Sequence, residues 1–118
     1  MRKEYIINRL LQKIVFRDRK EGYVKIYPNN IKEHELTKFL VCDKLKRLGY
    51  KVYTECRFEN NCGRADIVAI SEEGKGYIIE ILCSETQERL NEKLNKYPIE
   101  FELITVFTKN FDIDTWEL

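Results

Sequence analysis

No apolar run in this chain approaches the roughly 20 residues needed to cross a bilayer, and the longest uninterrupted stretches are a few residues long. A membrane-spanning helix is not expected. The opening RKEYIINRLLQKIVF carries Asn8, Arg9, Gln12 and Lys13 where a secretory core would be continuously apolar, and no small-residue cleavage site follows. A cytoplasmic protein is the expectation. An excess of one charge is also lacking: 21 Lys and Arg face 20 Asp and Glu, so any polyanion must be held by a local patch. Paired CxxC spacing is missing, and one histidine, His34, is all the imidazole available. Without an export signal, Cys42, Cys56, Cys62 and Cys83 read as thiols, buried or half-buried, and not as a disulfide framework. There is no internal repeat and no low-complexity run.

What is present fits one domain over residues 1–118, with hydrophobic residues at 43% of the chain against 35% charged. Ile7, Leu10, Leu11 and Ile14 fall at helical spacing and predict an amphipathic helix over 3–16. The segment GYVKIYP then alternates up to the breaker Pro28-Asn29-Asn30, predicting a short edge strand or an extended segment. IKEHELTKFLVCDKLKRL, residues 31–48, predicts a long helix closed by Gly49. Its apolar positions (Leu36, Phe39, Leu40, Val41, Leu45, Leu48) spread over a wide arc, as in a helix contacted on more than one side. KVYTECRF predicts a strand with Val52, Thr54, Cys56 and Phe58 on one face, followed by RADIVAI (64–70) and YIIEILC as two further strands. Ser84 with Gln87 three residues on, and Leu90 with Leu94, predict a helix closed by Pro98. FELITVF (101–107) is the last strand, and the acidic tail 108–118 carries no pattern. Three successive strands joined by short turns are antiparallel neighbours, and the last strand, helix, strand step requires a crossover, hence a mixed sheet.

One residue stands out. Glu80 lies inside the apolar run Tyr77 to Cys83, where an ionised carboxylate is costly unless a charge, a hydrogen bond or a metal meets it. Asp66 interrupts the preceding strand in the same way. Paired strands bring the two acids together, and two close carboxylates raise one pKa unless a cation lies between them. A hard divalent ion such as Mg²⁺ suits such a pair and serves phosphate chemistry. A third acid is available early in the long helix, where periodicity leaves Glu33 and Glu35 both open; Glu35 stands at i−4 from Phe39 and i−7 from Cys42, a spacing that allows it to reach an inner face.

With an acid early in the helix of HELTKFLVCDKLKRLGYKV, Asp66 in GRADIVAI and Glu80 in YIIEIL, all in the order αβββαβ, the chain resembles the PD-(D/E)XK nuclease superfamily, in particular archaeal Holliday-junction-resolvase and restriction-endonuclease-like domains. The resemblance covers about residues 31–107. It implies an α/β, restriction-endonuclease-like core with a mixed central sheet flanked by helices, to which an N-terminal helix and short strand (3–28) and a tail (108–118) are added. It also implies DNA as substrate, Mg²⁺ or Mn²⁺ held by Asp66, Glu80 and the backbone carbonyl of Ile81, help from Glu35 through ligation or a bound water, and pairing into a homodimer. The departure is Leu82, which stands where the family has the lysine that positions the attacking water. Ser84, Lys75 and Lys93 are the substitutes in view.

Two functions follow from this. One is a divalent-metal-dependent DNA phosphodiesterase. The other is a nuclease fold without catalysis, kept as a nucleic-acid-binding or protein-assembly module, with helix 3–16 and the tail as assembly surfaces. Each acid also has an ordinary reading: Asp66 as a turn acid paired to Arg64 or Arg57, Glu80 in a buried ion pair, Glu35 complementing a helix dipole. His34 reads as a surface histidine. Arg57, Arg64 and Lys44, with Lys46 and Arg47, are the candidate phosphate-contacting patch.

Overall fold

The computed structural model describes residues 2–60, 63–83, 92 and 96–118. Its elements run α1 (Arg2–Leu11), a 3₁₀ turn (Phe16–Asp18), α2 (Lys32–Arg47), β1 (Lys51–Arg57), β2 (Arg64–Ile70), β3 (Gly76–Leu82) and β4 (Phe101–Phe107). The strands form one sheet in the order β1-β2-β3-β4; the first three are antiparallel neighbours and β4 joins β3 in parallel, so the expected mixed α/β sheet is present. The helix expected from Ser84 to Pro98 lies outside the described residues, apart from Glu92 and residues 96–98. Cys62 lies outside them too. No helix among the described residues is long and apolar enough to cross a membrane.

Alternation along β2 and β3 sends Val68, Ile70 and Ile78 to one face and Ile67, Ala69, Ile79 and Ile81 to the other. Leu10 and Ile14 cover the first face, and α2 covers the second with Val41, Cys42 and Leu45. The predicted first helix ends early because Ile14 leaves it to form a bridge with Phe58, while the Val15 N–H donates to the Arg57 carbonyl at 2.8 Å. α2 stops where expected, at Gly49, whose φ of +97° is the left-handed value that favours glycine. Its wide apolar arc has a different cause from the expected one: Leu36, Phe39 and Leu48 are 52%, 46% and 63% exposed, while Glu35, Thr37 and Lys38 are buried in their stead.

The segment before α2 forms no strand. Thr54 replaces a ladder there, since its hydroxyl donates to the Tyr23 carbonyl at 2.8 Å and accepts from the Lys25 N–H at 2.9 Å. The tail packs Phe111 and Trp116 against the α2 side of the core.

β1 departs from simple alternation. Val52 belongs to the α2 side, but Tyr53, Cys56 and Phe58 all lie on the opposite side, so the predicted single face Val52, Thr54, Cys56, Phe58 is broken. The break is at Glu55, whose φ of +52° is unusual for a residue with a long side chain and costs on the order of 1–2 kcal/mol. Opposite it, β2 changes face as well, for Ala65 joins Val68 across Asp66. The β1 to β2 register runs unbroken from Lys51↔Ile70 to Arg57↔Arg64 except at the rung that Glu55 and Asp66 would share. Two acids therefore occupy the one rung where the sheet gives up its regular pleat.

Candidate functional site

The ladder between β2 and β3 ends at Ile67↔Ile79. One step further, Asp66 meets Glu80, and each carboxyl takes a backbone N–H from the other strand: Asp66 N–H donates to Glu80 Oε2 at 3.1 Å, and Ile81 N–H donates to Asp66 Oδ2 at 2.8 Å. The expected convergence of the two acids is present. Among the described residues, no lysine or arginine pairs with either of them, because Arg57 is taken by Asp18 and Arg64 by Glu55.

α2 supplies the rest. Glu35, buried, accepts from the Tyr27 N–H at 2.6 Å, from Lys38 Nζ at 2.9 Å and from His34 Nδ1 at 2.6 Å, while His34 Nε2 reaches Asp66 Oδ2 at 3.3 Å. Glu33 is exposed, so of the two helix acids left open by periodicity Glu35 is the one in the cluster. Lys38 has no exposed surface and also contacts Glu55 Oε2 at 3.3 Å; Glu55 Oε1 in turn meets Arg64 Nε at 3.3 Å. At the other end, the Tyr97 hydroxyl lies between Glu80 Oε1 and the Arg64 carbonyl, 3.1 Å away.

The charges follow from this wiring. Both His34 nitrogens face carboxylates, and the bond to Asp66, opposed by burial, is the main cause of a pKa raised to about 9. Burial, followed by the charge of Asp66, pushes Glu80 up to about 8. Burial would raise Asp66 too, but donors from His34, Glu80 and the Ile81 N–H together bring it below the usual carboxylate range. Burial is the largest single influence on Glu35 as well, but Tyr27, Lys38 and His34 together outweigh it and hold the carboxyl at about 2. Glu55, with fewer and longer contacts, is raised by burial in spite of Lys38. With Glu80 neutral, three carboxylates (Glu35, Glu55, Asp66) face three cations (His34, Lys38, Arg64).

A pH dependence of stability follows. Glu80 and His34 both have raised folded pKa values, so the native state holds the extra protons between about 4.5 and 8 and between about 6.5 and 9; their contributions are full at low pH and lost as pH rises through those windows. Asp18, held at about 2 chiefly by the Arg57 hydrogen bond, and Glu35 act in the opposite sense and lose their contributions as pH falls below about 4.5. Metal-free protein should therefore be most stable near pH 5 and lose denaturation midpoint steadily up to pH 9. In His34→Asn the decline above pH 6.5 should flatten; an unchanged alkaline limb would contradict the assignment.

Several predicted site residues are elsewhere or otherwise engaged. Lys44 donates to the carbonyls of Ile113, at 2.7 Å, and Trp116, and so anchors the tail instead of facing a phosphate. Arg57 is held by Asp18 at 2.9 and 3.2 Å. Lys46 pairs with Glu21, and Arg47 with Asp43 at 3.0 Å. Only Arg64 of the predicted patch touches the acid cluster. Lys75 precedes β3 at the end away from Glu80 and pairs with Glu102 at 3.3 Å, which removes it as a stand-in for the motif lysine. Ser84 and Lys93 lie outside the described residues. Leu82 is buried at the end of β3. Cys42 and Cys56 are buried free thiols, raised to about 12 by burial, and Cys83 is also free.

His34, read from the sequence as a surface histidine, is instead the bridge between Glu35 and Asp66. Lys38, Glu55 and Tyr97 had no place in the sequence reading. Lys38 lies at i+3 from Glu35, a spacing that allows the pair; nothing local marks Glu55 or Tyr97.

The residues fit a hard divalent ion in part. Among the described residues no group of three or more potential ligands is gathered around a common point and no lysine or arginine pairs with Asp66 or Glu80, whose only cationic neighbour there is His34 on Asp66; Mg²⁺ is commonly held by one or two such acids with retained waters and substrate phosphate. No family model matches the chain, and comparison with curated proteins and with solved structures gives no match.

Proposed function

We propose that the protein is a divalent-metal-dependent DNA phosphodiesterase with a restriction-endonuclease-like αβββαβ core, working as a homodimer. The observation that carries this reading is the placement of Asp66 against Glu80 on antiparallel strands, with no lysine or arginine paired to either among the described residues. Asp66, Glu80 and the carbonyl of Ile81 would hold Mg²⁺ or Mn²⁺, which when bound supplies charge neutralisation at the phosphorus and an activated water. His34 orients Asp66 by holding its Oδ2 and is itself fixed by Glu35. Lys38 supplies the cation that Leu82 does not, acting on the field of the site through Glu35 and Glu55.

A second reading is favoured by the sealing of that lysine. Lys38 is fully buried between two glutamates, so it does not reach a water as the family's lysine does, and a nuclease fold without catalysis that binds DNA or assembles with protein partners has the same wiring. Calorimetric titration with Mn²⁺ separates the two. The nuclease reading expects one site in the wild type and none in Glu80→Gln. Absence of Mn²⁺ binding to the wild type, with and without DNA, would leave the non-catalytic reading.

A further inference from the structure

Beside the acid cluster lies a groove of about 400 Å³ walled by Ile26, Tyr27, Pro28, Leu36 and Phe39, with Lys32 on its rim. It shares Glu35 with the cluster. Ile26, Leu36 and Phe39 are about half exposed, an unusual concentration of apolar surface beside buried charge. The Tyr27 ring has the Lys38 ammonium 5.4 Å and the Arg64 guanidinium 5.0 Å from its centroid, and Arg64 is half exposed.

From this we infer that the groove takes one unpaired nucleotide of the DNA, its base stacked on Phe39 and its phosphates between Lys32 and Arg64; the inference rests on the nuclease reading and names its substrate class. Three features argue for it. The volume, about 400 Å³, lies at the small end of ligand pockets, the size for one nucleotide. An apolar groove with a ring on its wall suits the face of a base, and a duplex keeps that face stacked, so the acceptable substrate is single-stranded, flapped or branched. Lys32 lines the groove, and the half-exposed Arg64 guanidinium lies 5.0 Å from the centroid of the Tyr27 ring that walls it, the sign of charge a polyanion requires. Expected substrates are therefore DNAs with an unpaired nucleotide next to the scissile phosphate.

The test uses oligonucleotides carrying 2-aminopurine, either in a single strand or inside a duplex, titrated with the whole protein in EDTA so that nothing is cut. The single strand should bind with quenched emission. Phe39→Ala should weaken that binding roughly 10- to 100-fold, the usual loss for one stacked base, while duplex binding changes less than about twofold; Phe39→Trp should restore it. Phe39 is half exposed, so both variants are expected to fold, with circular dichroism as the check. Equal loss on both DNAs, or no loss on either, overturns the inference. So does a shift of wild-type dimer to Phe39→Ala monomer in sedimentation without change in DNA affinity, which would make the groove a contact between copies. Mn²⁺ titration of Phe39→Ala separates the two failures: a metal site with a groove indifferent to unpaired DNA sinks this inference alone, whereas no metal site and no DNA binding in the wild type sinks both.

Discussion

Replacing Lys38 by methionine is expected to cost about 3–5 kcal/mol of folding stability, the loss that follows when one partner of a buried ion pair is removed. The alkyl stem is kept and the ammonium is not. Glu35 retains the Tyr27 N–H and His34 as donors, but Glu55, 3% exposed, retains only Arg64. Against a typical total of about 5–15 kcal/mol the variant would be marginal. Glu55 escapes the penalty by taking a proton, so the deficit should be smaller at pH 5 than at pH 8, which urea denaturation at the two values would show. Adding Glu55→Gln to Lys38→Met should recover much of the loss, because a neutral amide no longer needs the ammonium. A deficit below about 1 kcal/mol, the worth of an exposed pair, would mean that the lysine is not sealed.

Under the proposed nuclease function, Asp66→Asn and Glu80→Gln should each reduce Mg²⁺-dependent DNA cleavage on the order of 10³-fold, the effect of losing one transition-state donor. Both replacements keep an oxygen to accept the backbone N–H of the opposite strand, so activity should fall without unfolding. For Glu80→Gln the two properties should move in opposite senses. Above pH 8 the wild-type carboxyl is forced to ionise beside Asp66, whereas the amide is not, and the variant should be the more stable there. Chelation by EDTA should match the effect of either substitution on cleavage. Persistence of cleavage within about tenfold in both variants would remove the pair from the chemistry.

The sequence made the strands legible because their apolar residues recur at short range. RADIVAI and FELITVF occupy β2 and β4 with the expected bounds, and Gly49 ends α2 as a left-handed glycine should. The acids were legible for the same reason: a carboxylate in an apolar strand is conspicuous. What lay beyond reach were interactions between distant positions. His34 looked solvent-exposed because its second partner, Asp66, is 32 positions away. Lys44 looked free because the carbonyls that hold it belong to the tail. The face change at Glu55 contradicts the alternation that any reading of KVYTECRF assumes, and it arises only because the opposing acid rung departs from the pleat at the same place.

By itself, then, the chain determined an α/β domain with a mixed sheet and two out-of-place acids, since hydrophobic periodicity and the cost of burying charge are local properties. Tertiary structure alone decided what meets those acids. Burial sets the protonation of Glu80, and the carboxylates of Asp66 and Glu35 that of His34, only when helix, strands and loop are brought within hydrogen-bond distance, and that distance is not written in any one segment.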